Sequence, residues 1–202
     1  MLGDTLAEIA TEKAGIIKPD GYLISAAQDP EVATILLDTA RKQNAKYAFE
    51  GVEFGVVERA RAVGGQLLTL RGLAGEYPDI ELPLHGEHQG QNASLALAAV
   101  EAFFGGDRAL ARDVVLAGFA QVRSPGRLEM IRSEPLVVLD AAHNPHGVRA
   151  ASTAFKEAFE LSHVHAVVGI LGEKDALGIF EVLRKEYVDS TDATFRLYLS
   201  AS

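Results

Sequence analysis

The stretch Pro135-Leu136-Val137-Val138-Leu139-Asp140-Ala141-Ala142-His143-Asn144-Pro145-His146-Gly147 decides how this chain is read. Its first half is a short run of β-branched residues and leucine, as expected of a buried strand in a parallel sheet. A loop follows, then a helix through Phe159, then a second apolar run from Val164 to Leu171. Strand, helix and strand in that order predict a βαβ unit with a right-handed crossover, and therefore an α/β fold. Asp140 falls at the carboxyl end of the first strand, with His143 and Asn144 in the loop before the helix. Ligands of open α/β sheets bind at the carboxyl ends of strands, and helix N-termini favour phosphate. An Asp and a His in these places can hold a ribose, a metal-bound water or a phosphate oxygen. The plainer alternative makes Asp140 a helix cap and His143 a solvated loop residue.

Upstream, Ser124-Pro125-Gly126 punctuates the chain, and a domain boundary is expected just before it. Arg127 follows, where a guanidinium can reach a phosphate bound between domains, or can stand as an ordinary surface arginine beside a turn. Gln89 to Phe104 is the strongest helix. It is apolar nearly all round between Ala93 and Val100, which predicts deep burial, and Gly105-Gly106 ends it. Gln89 and Asn92, three apart near its start, share a face. An asparagine amide there can read an adenine edge, or simply cap the helix. His85 and His88 lack a third ligand and give only a weak metal signal. Arg108 to Phe119 reads as a shorter helix.

Toward the N-terminus, Thr5 and Glu8 have capping-box spacing, with Asp4 as an alternative cap. Leu6, Ile9, Ala10 and Lys13 follow at i, i+3, i+4 and i+7, which places Lys13 on the apolar stripe. A lysine there snorkels, pairs or is modified. The sharper reading is a carbamylated lysine, an oxygen donor suited to Mg²⁺. Gly15 can close the helix and Pro19 prevents its renewal. Tyr22 to Ala26 reads as a strand and Pro30 to Gln43 as a helix. Lys46 to Leu73 alternates like strands about a hairpin turn at Gly64-Gly65, and Asp79 to Leu84 is a further strand.

The whole composition bounds the function. The chain has 202 residues, 48% of them hydrophobic, and a net charge of −9 from 19 basic and 28 acidic residues. It is too apolar for a disordered chain. Its acidic balance argues against nucleic-acid or anionic-membrane partners. It has no cysteine, which excludes disulfides, zinc–thiolate sites and a thiol nucleophile. No apolar run approaches the roughly 18–20 residues of a membrane span, and the N-terminus lacks the regions of a signal peptide. A cytoplasmic protein is expected. No GxGxxG follows the Pro135–Asp140 strand, which speaks against a dehydrogenase.

Four blocks resemble the folylpolyglutamate synthase/dihydrofolate synthase family of the Mur ligase superfamily. They are Leu2-Gly3-Asp4-Thr5 running into Glu12-Lys13-Ala14-Gly15-Ile16-Ile17-Lys18-Pro19, His88-Gln89-Gly90-Gln91-Asn92-Ala93, Ser124-Pro125-Gly126-Arg127-Leu128-Glu129, and Asp140 to Gly147. They stand in family order, and the resemblance covers roughly residues 1 to 183. It implies a partial P-loop-type ATPase domain (the Mur ligase central domain) over residues 1–121. A partial Rossmann-like Mur ligase C-terminal domain follows over 122–183, then an atypical tail over 184–202. It implies an ATP-dependent ligase that joins a folate or pteroate carboxylate to L-glutamate through an acyl phosphate, with ATP and Mg²⁺ as cofactors and a monomeric parent. By resemblance Lys13 matches a carbamylated lysine that supports a second Mg²⁺ site. Asn92 matches an ATP-contacting asparagine, and Arg127 and Asp140 match ATP ligands from the C-terminal domain. His143 matches a histidine facing the phosphates.

Two departures stand against this. The sequence has no Gly-Lys dipeptide, so no GxxxxGK[ST] phosphate loop exists in it. The family's phosphate loop, its first strands and a magnesium-binding glutamate would precede Leu2, so Met1 is expected to be an internal methionine or a fragment boundary. The polar stretch Arg184 to Ser202 is expected to be a frameshifted or truncated end. Isolated, such a chain is expected to turn over little and to be poorly soluble. The alternative is a non-catalytic fragment or weak nucleotide-binding module.

Overall fold

A computed structural model describes residues 5–160, 162–189 and 194–200. The fold is mixed α/β, and the chain divides into two compact units. One comprises Met1–Ala60, Leu67–Leu82 and Gly90–Ala120; the other comprises Arg61–Gln66, Pro83–Gln89 and Gln121–Ser202.

In the first unit α1 (Leu6–Ala14) starts from a complete capping box. The Thr5 amide donates to Glu8 Oε2 at 3.0 Å and the Glu8 amide to Thr5 Oγ1 at 3.2 Å. The Leu2-Gly3-Asp4 part of the first sequence block, and Asp4 as a cap, lie outside the described residues. Strands β1 (Tyr22–Ser25) and β2 (Lys46–Phe49) pair in parallel, joined through α2 (Pro30–Lys42). Ala14, Ile17, Ala40 and Ala45 form the core beneath them. Next come β3 (Gly55–Ala62), β4 (Gly65–Arg71) and β5 (Glu76–Leu82), in that spatial order. The β3–β4 turn holds Gly64 at φ 79°, in the left-handed region where glycine is unstrained. On β4 and β5, Leu68, Leu70, Ile80 and Leu82 are each at most 2% exposed.

The long helix α3 (Glu87–Phe103) is buried on one face only, a correction to the expected all-round burial. Ala93, Ser94, Leu97, Ala98 and Glu101 are buried, and Gly90 lies against Leu68 and Val56. Val100 and Phe103 are exposed. Periodicity identifies residues that share a face; how much of the helix circumference is covered depends on the neighbours actually present. Helix α4 (Arg112–Ala120) starts four residues later than the sequence suggests and packs against β5.

In the second unit the expected βαβ is displaced by one strand. β7 (Leu136–Leu139) pairs antiparallel with β6 (Glu129–Ser133), a strand the sequence did not announce. Helix α5 (Pro145–Ala158) leads to β8 (His163–Val168), then to α6 (Ala176–Tyr187) and β9 (Thr194–Leu199). The parallel pair is β8–β9, in register His163↔Thr194 through Val168↔Leu199. Thus the α/β alternation does not stop near Leu183. It continues because α6 buries Ile179, Val182, Leu183 and Tyr187 with Val148 of α5, and Phe195 of β9 joins that core. Of the stretch 184–202, residues 190–193, 201 and 202 lie outside the described residues. No helix among the described residues is long and apolar enough to cross a membrane.

Candidate functional site

The loops that carry Arg127 and Asp140 are brought together in the second unit. Ser124 to Arg127 forms a tight turn, with the Arg127 amide donating to the Ser124 carbonyl at 3.1 Å. Pro125 and Gly126 take the central positions, and Gly126 has φ 69°. That is the type II arrangement, which needs a positive φ at its third residue. Leu128, next but one, also has a left-handed backbone, φ 45°. For a leucine this conformation costs on the order of 1–3 kcal/mol and persists only where the surroundings fix it. Here the side chain is buried, 7% exposed, and the amide is held: Leu128 N–H donates to Asp140 Oδ2 at 3.0 Å. Ala142 N–H donates to the other oxygen, Oδ1, at 2.8 Å. The Ala141 amide donates to the Gly126 carbonyl at 2.8 Å, and the Gly126 amide to Glu129 Oε2 at 2.8 Å.

Asp140 is therefore the clasp between the turn at Arg127 and the loop before α5. It does not cap that helix; Asn144 does, accepting from the Gly147 amide at 2.8 Å. A carboxylate has about four lone-pair positions. Two are taken, and Asp140 is exposed, so it retains acceptor capacity toward solvent. His143 is exposed and its Nδ1–H donates to the Ala141 carbonyl at 3.0 Å, which leaves Nε2 outside that hydrogen bond. The Arg127 side chain is exposed, and among the described residues its guanidinium enters no ion pair. This loop cluster thus offers a cation, the carboxylates of Asp140 and Glu129 with free lone pairs and an imidazole, on loops held by backbone hydrogen bonds.

Below the loop lies a buried aromatic. Tyr187 stacks on Phe195 with ring centroids 5.1 Å apart. Burial pushes its phenol up, the Ser152 hydrogen bond pulls it back, and the negative charges of Glu186 and Asp140 add to the rise. Sequence reasoning passed over Tyr187; its signal was the i, i+4 step from Leu183 on the apolar face of α6.

The other two candidates belong to the first unit. Lys13 is exposed, and the buried residues of its helix are Ala10 and Ala14. This corrects the expectation that it sits on the apolar stripe: the covered face is as narrow as two alanines, and Leu6 is 59% exposed as well. Asn92 is exposed on α3 while Gln89 is buried, so the two do not share an environment. His85 packs on Phe159, ring centroids 5.4 Å apart, and burial pushes its pKa down. Among the described residues no group of three or more His, Asp or Glu is placed to hold a metal. The residues present do not make a magnesium site by themselves, and a carbamate on Lys13 would add a single donor.

Residues 126–194 match the family "Mur ligase, glutamate ligase domain". The chain is 50% identical over 190 residues to the dihydrofolate synthase/folylpolyglutamate synthase of Mycobacterium tuberculosis, covering 90% of this chain and 39% of that protein. Among solved structures it is similar to Mycobacterium tuberculosis folylpolyglutamate synthase complexed with ADP, with TM-score 0.86 and 49% identity, covering 92% of this chain and 42% of that one. It is also similar to an FPGS–AMPPCP–folate complex, with TM-score 0.85 and 26% identity, covering 100% and 55%. The chain thus spans about two-fifths of the curated relative it matches at 50% identity. Residues 126–194 are a Mur ligase glutamate ligase domain, and the chain is homologous to the folylpolyglutamate/dihydrofolate synthases.

Proposed function

We propose that this chain is part of an ATP-dependent ligase that joins the carboxylate of folate or dihydropteroate to the amine of L-glutamate. The observation that carries the reading is the 50% identity over 90% of the chain to a dihydrofolate synthase/folylpolyglutamate synthase. In this reaction the carboxylate attacks the γ-phosphorus of ATP and ADP leaves. The amine of glutamate then attacks the acyl phosphate carbon and inorganic phosphate leaves as the amide forms. Positioning and charge neutralisation are the protein's main contributions to such chemistry.

In this chain Arg127 supplies a guanidinium carried on a held backbone for a phosphate oxygen, and Asp140 a carboxylate for a ribose hydroxyl. His143 is proposed to meet a polar ligand through Nε2, since Nδ1 is engaged with Ala141 and the residue is exposed. Asn92 is the proposed adenine-side contact of the first unit. Lys13 is the proposed carbamate that would supply oxygen to Mg²⁺, whose chemistry is to neutralise phosphate charge; the described residues alone do not form its site. The proposed division lies at residues 121 and 122, beside the start of the Gln121–Ser202 segment of the second unit, which also takes in Arg61–Gln66 and Pro83–Gln89. A cytoplasmic, monomeric parent belongs to the same reading.

The sequence has no Gly-Lys dipeptide and so no phosphate-cradling loop lysine of its own. Isolated, the chain therefore turns over little, and this same feature favours the second reading, a weak nucleotide-binding module. Purified chain is assayed for glutamate-dependent ADP release with dihydropteroate and with tetrahydrofolate, and titrated with Mg-ATP by calorimetry. Weak binding that Arg127→Ala lowers about tenfold, with negligible turnover, is the expected result. Robust turnover would show that the phosphate loop is dispensable; no binding would remove the nucleotide site.

A further inference from the structure

We infer that Glu129 is a positioning residue for Arg127, holding the turn that presents the guanidinium to an anionic ligand. The inference rests on the nucleotide reading above and adds a residue to it. Arg127 lies between two residues of left-handed backbone, Gly126 at φ 69° and Leu128 at φ 45°. Each of those residues has its amide held by a different carboxylate. Asp140 Oδ2 takes the Leu128 amide at 3.0 Å, and Glu129 Oε2 takes the Gly126 amide at 2.8 Å. The Gly126 carbonyl is held as well, by the Ala141 amide at 2.8 Å. The backbone on both sides of Arg127 is thereby fixed, while its own side chain is exposed and enters no ion pair among the described residues.

Carboxylates flanking an arginine can pair with it and cancel its charge. Here both oxygens of Asp140 and Oε2 of Glu129 accept from backbone amides instead. An arginine side chain has rotamer freedom to lose on binding; fixing its backbone lowers the further cost of ordering the turn. Glu129 is also the first residue of β6, paired with Leu139 at the end of β7. Its backbone is thus anchored beside Asp140 while its side chain reaches back over the turn. Both carboxylates are exposed. Asp140 is a proposed ligand itself, whereas the role inferred for Glu129 passes through Arg127.

The test is Mg-ATP affinity by calorimetry on the full chain, with a thermal melt of each variant. Glu129→Ala is expected to weaken binding about tenfold. Glu129→Gln, whose side-chain carbonyl still accepts from the Gly126 amide, stays within about twofold of the native chain. In an Arg127→Ala background, Glu129→Ala is expected to cause no further loss, since its effect passes through the guanidinium. Amide exchange gives a second readout: the Gly126 N–H exchanges faster in Glu129→Ala and at the native rate in Glu129→Gln. Native chain that binds Mg-ATP and is unaffected by Glu129→Ala overturns the inference while leaving the nucleotide reading standing. So does a loss of equal size with and without Arg127. Native chain that binds no Mg-ATP overturns both.

Discussion

Glu101 in the first unit and Asp140 in the second each accept hydrogen bonds from two backbone amides, yet the first is wholly buried and the second open to solvent. Glu101, on α3, takes the amides of Leu73 and Ala74 on one oxygen and the hydroxyl of Tyr77 on the other at 2.6 Å. Tyr77 Oη in turn accepts from the Leu110 amide at 2.7 Å. Both oxygens of that carboxylate are engaged, and what it joins is the β4–β5 loop, β5 and the segment before α4. Asp140 joins two loops as well, but half of its acceptor capacity and a neighbouring guanidinium are left facing solvent. The same device is a structural rivet where it is closed and part of a binding surface where it is open. The cores divide likewise: of the large fully buried side chains, Phe54, Leu68, Leu70, Ile80 and Glu101 lie in the first unit and Ile179 in the second.

The sharpest way to break this comparison is Glu101→Ala. Two amides and a hydroxyl lose their acceptor in a dry interior, at about 1–3 kcal/mol each, so the loss is at least about 3 kcal/mol. Urea unfolding measures it. Glu101→Gln can satisfy only one side of the network and falls between the two. A loss under about 1 kcal/mol for Glu101→Ala would mean that water replaces the carboxylate, and the rivet would then be no more closed than Asp140.

The pH dependence of the same network comes next. Burial, followed by the Glu101 hydrogen bond, pushes the Tyr77 phenol up to about 12 from its usual 10.0. A folded-state pKa above the unfolded value means that the stabilisation is fully present below pH 10 and is lost as pH rises through 12. The urea midpoint of the native chain is expected to fall across that window more steeply than that of Tyr77→Phe, which has no proton to lose there. Parallel profiles for the two chains would detach Tyr77 from the network.

How much of this was legible in the sequence follows from the range of each interaction. The Thr5–Glu8 box was legible because both partners lie within one helical turn, and so was the turn at Ser124-Pro125-Gly126, where proline and glycine preset the backbone. The clustering of Asp140 and His143 in one loop followed from their separation of three residues. The strand β6 was not legible: Glu129–Ser133 is exposed throughout and shifts register between Met130 and Arg132, so it shows no period. Leu128 gave no sign of its left-handed backbone, since that conformation is imposed by Asp140 twelve residues away. Lys13 and α3 were misjudged for one reason. A hydrophobic period reports which side chains face the same way, while burial depends on what stands opposite. Glu101 was passed over because a lone carboxylate in an apolar helix reads as a solvated residue until its partners, 24 to 28 positions earlier, are folded against it.

The smallest stability effect is expected at Asp140, and it is the most diagnostic of the open clasp. Asp140→Ala releases the part-buried Leu128 amide and the exposed Ala142 amide; water can take over at the latter, so the loss is held to about 0.5–1.5 kcal/mol. What is lost in addition is the force that keeps Leu128 left-handed, and with it the setting of Arg127 one residue away. Mg-ATP affinity should therefore fall about tenfold or more while the urea midpoint barely moves, the inverse of the pattern at a closed carboxylate. Asp140→Asn separates the two parts of the role. Its single carbonyl oxygen can hold one of the two amides, so the turn is half kept while the negative charge is gone. If Asp140→Ala proved as costly to stability as Glu101→Ala, the loop would belong to the core of its unit, and its free lone pairs would no longer argue for a ligand.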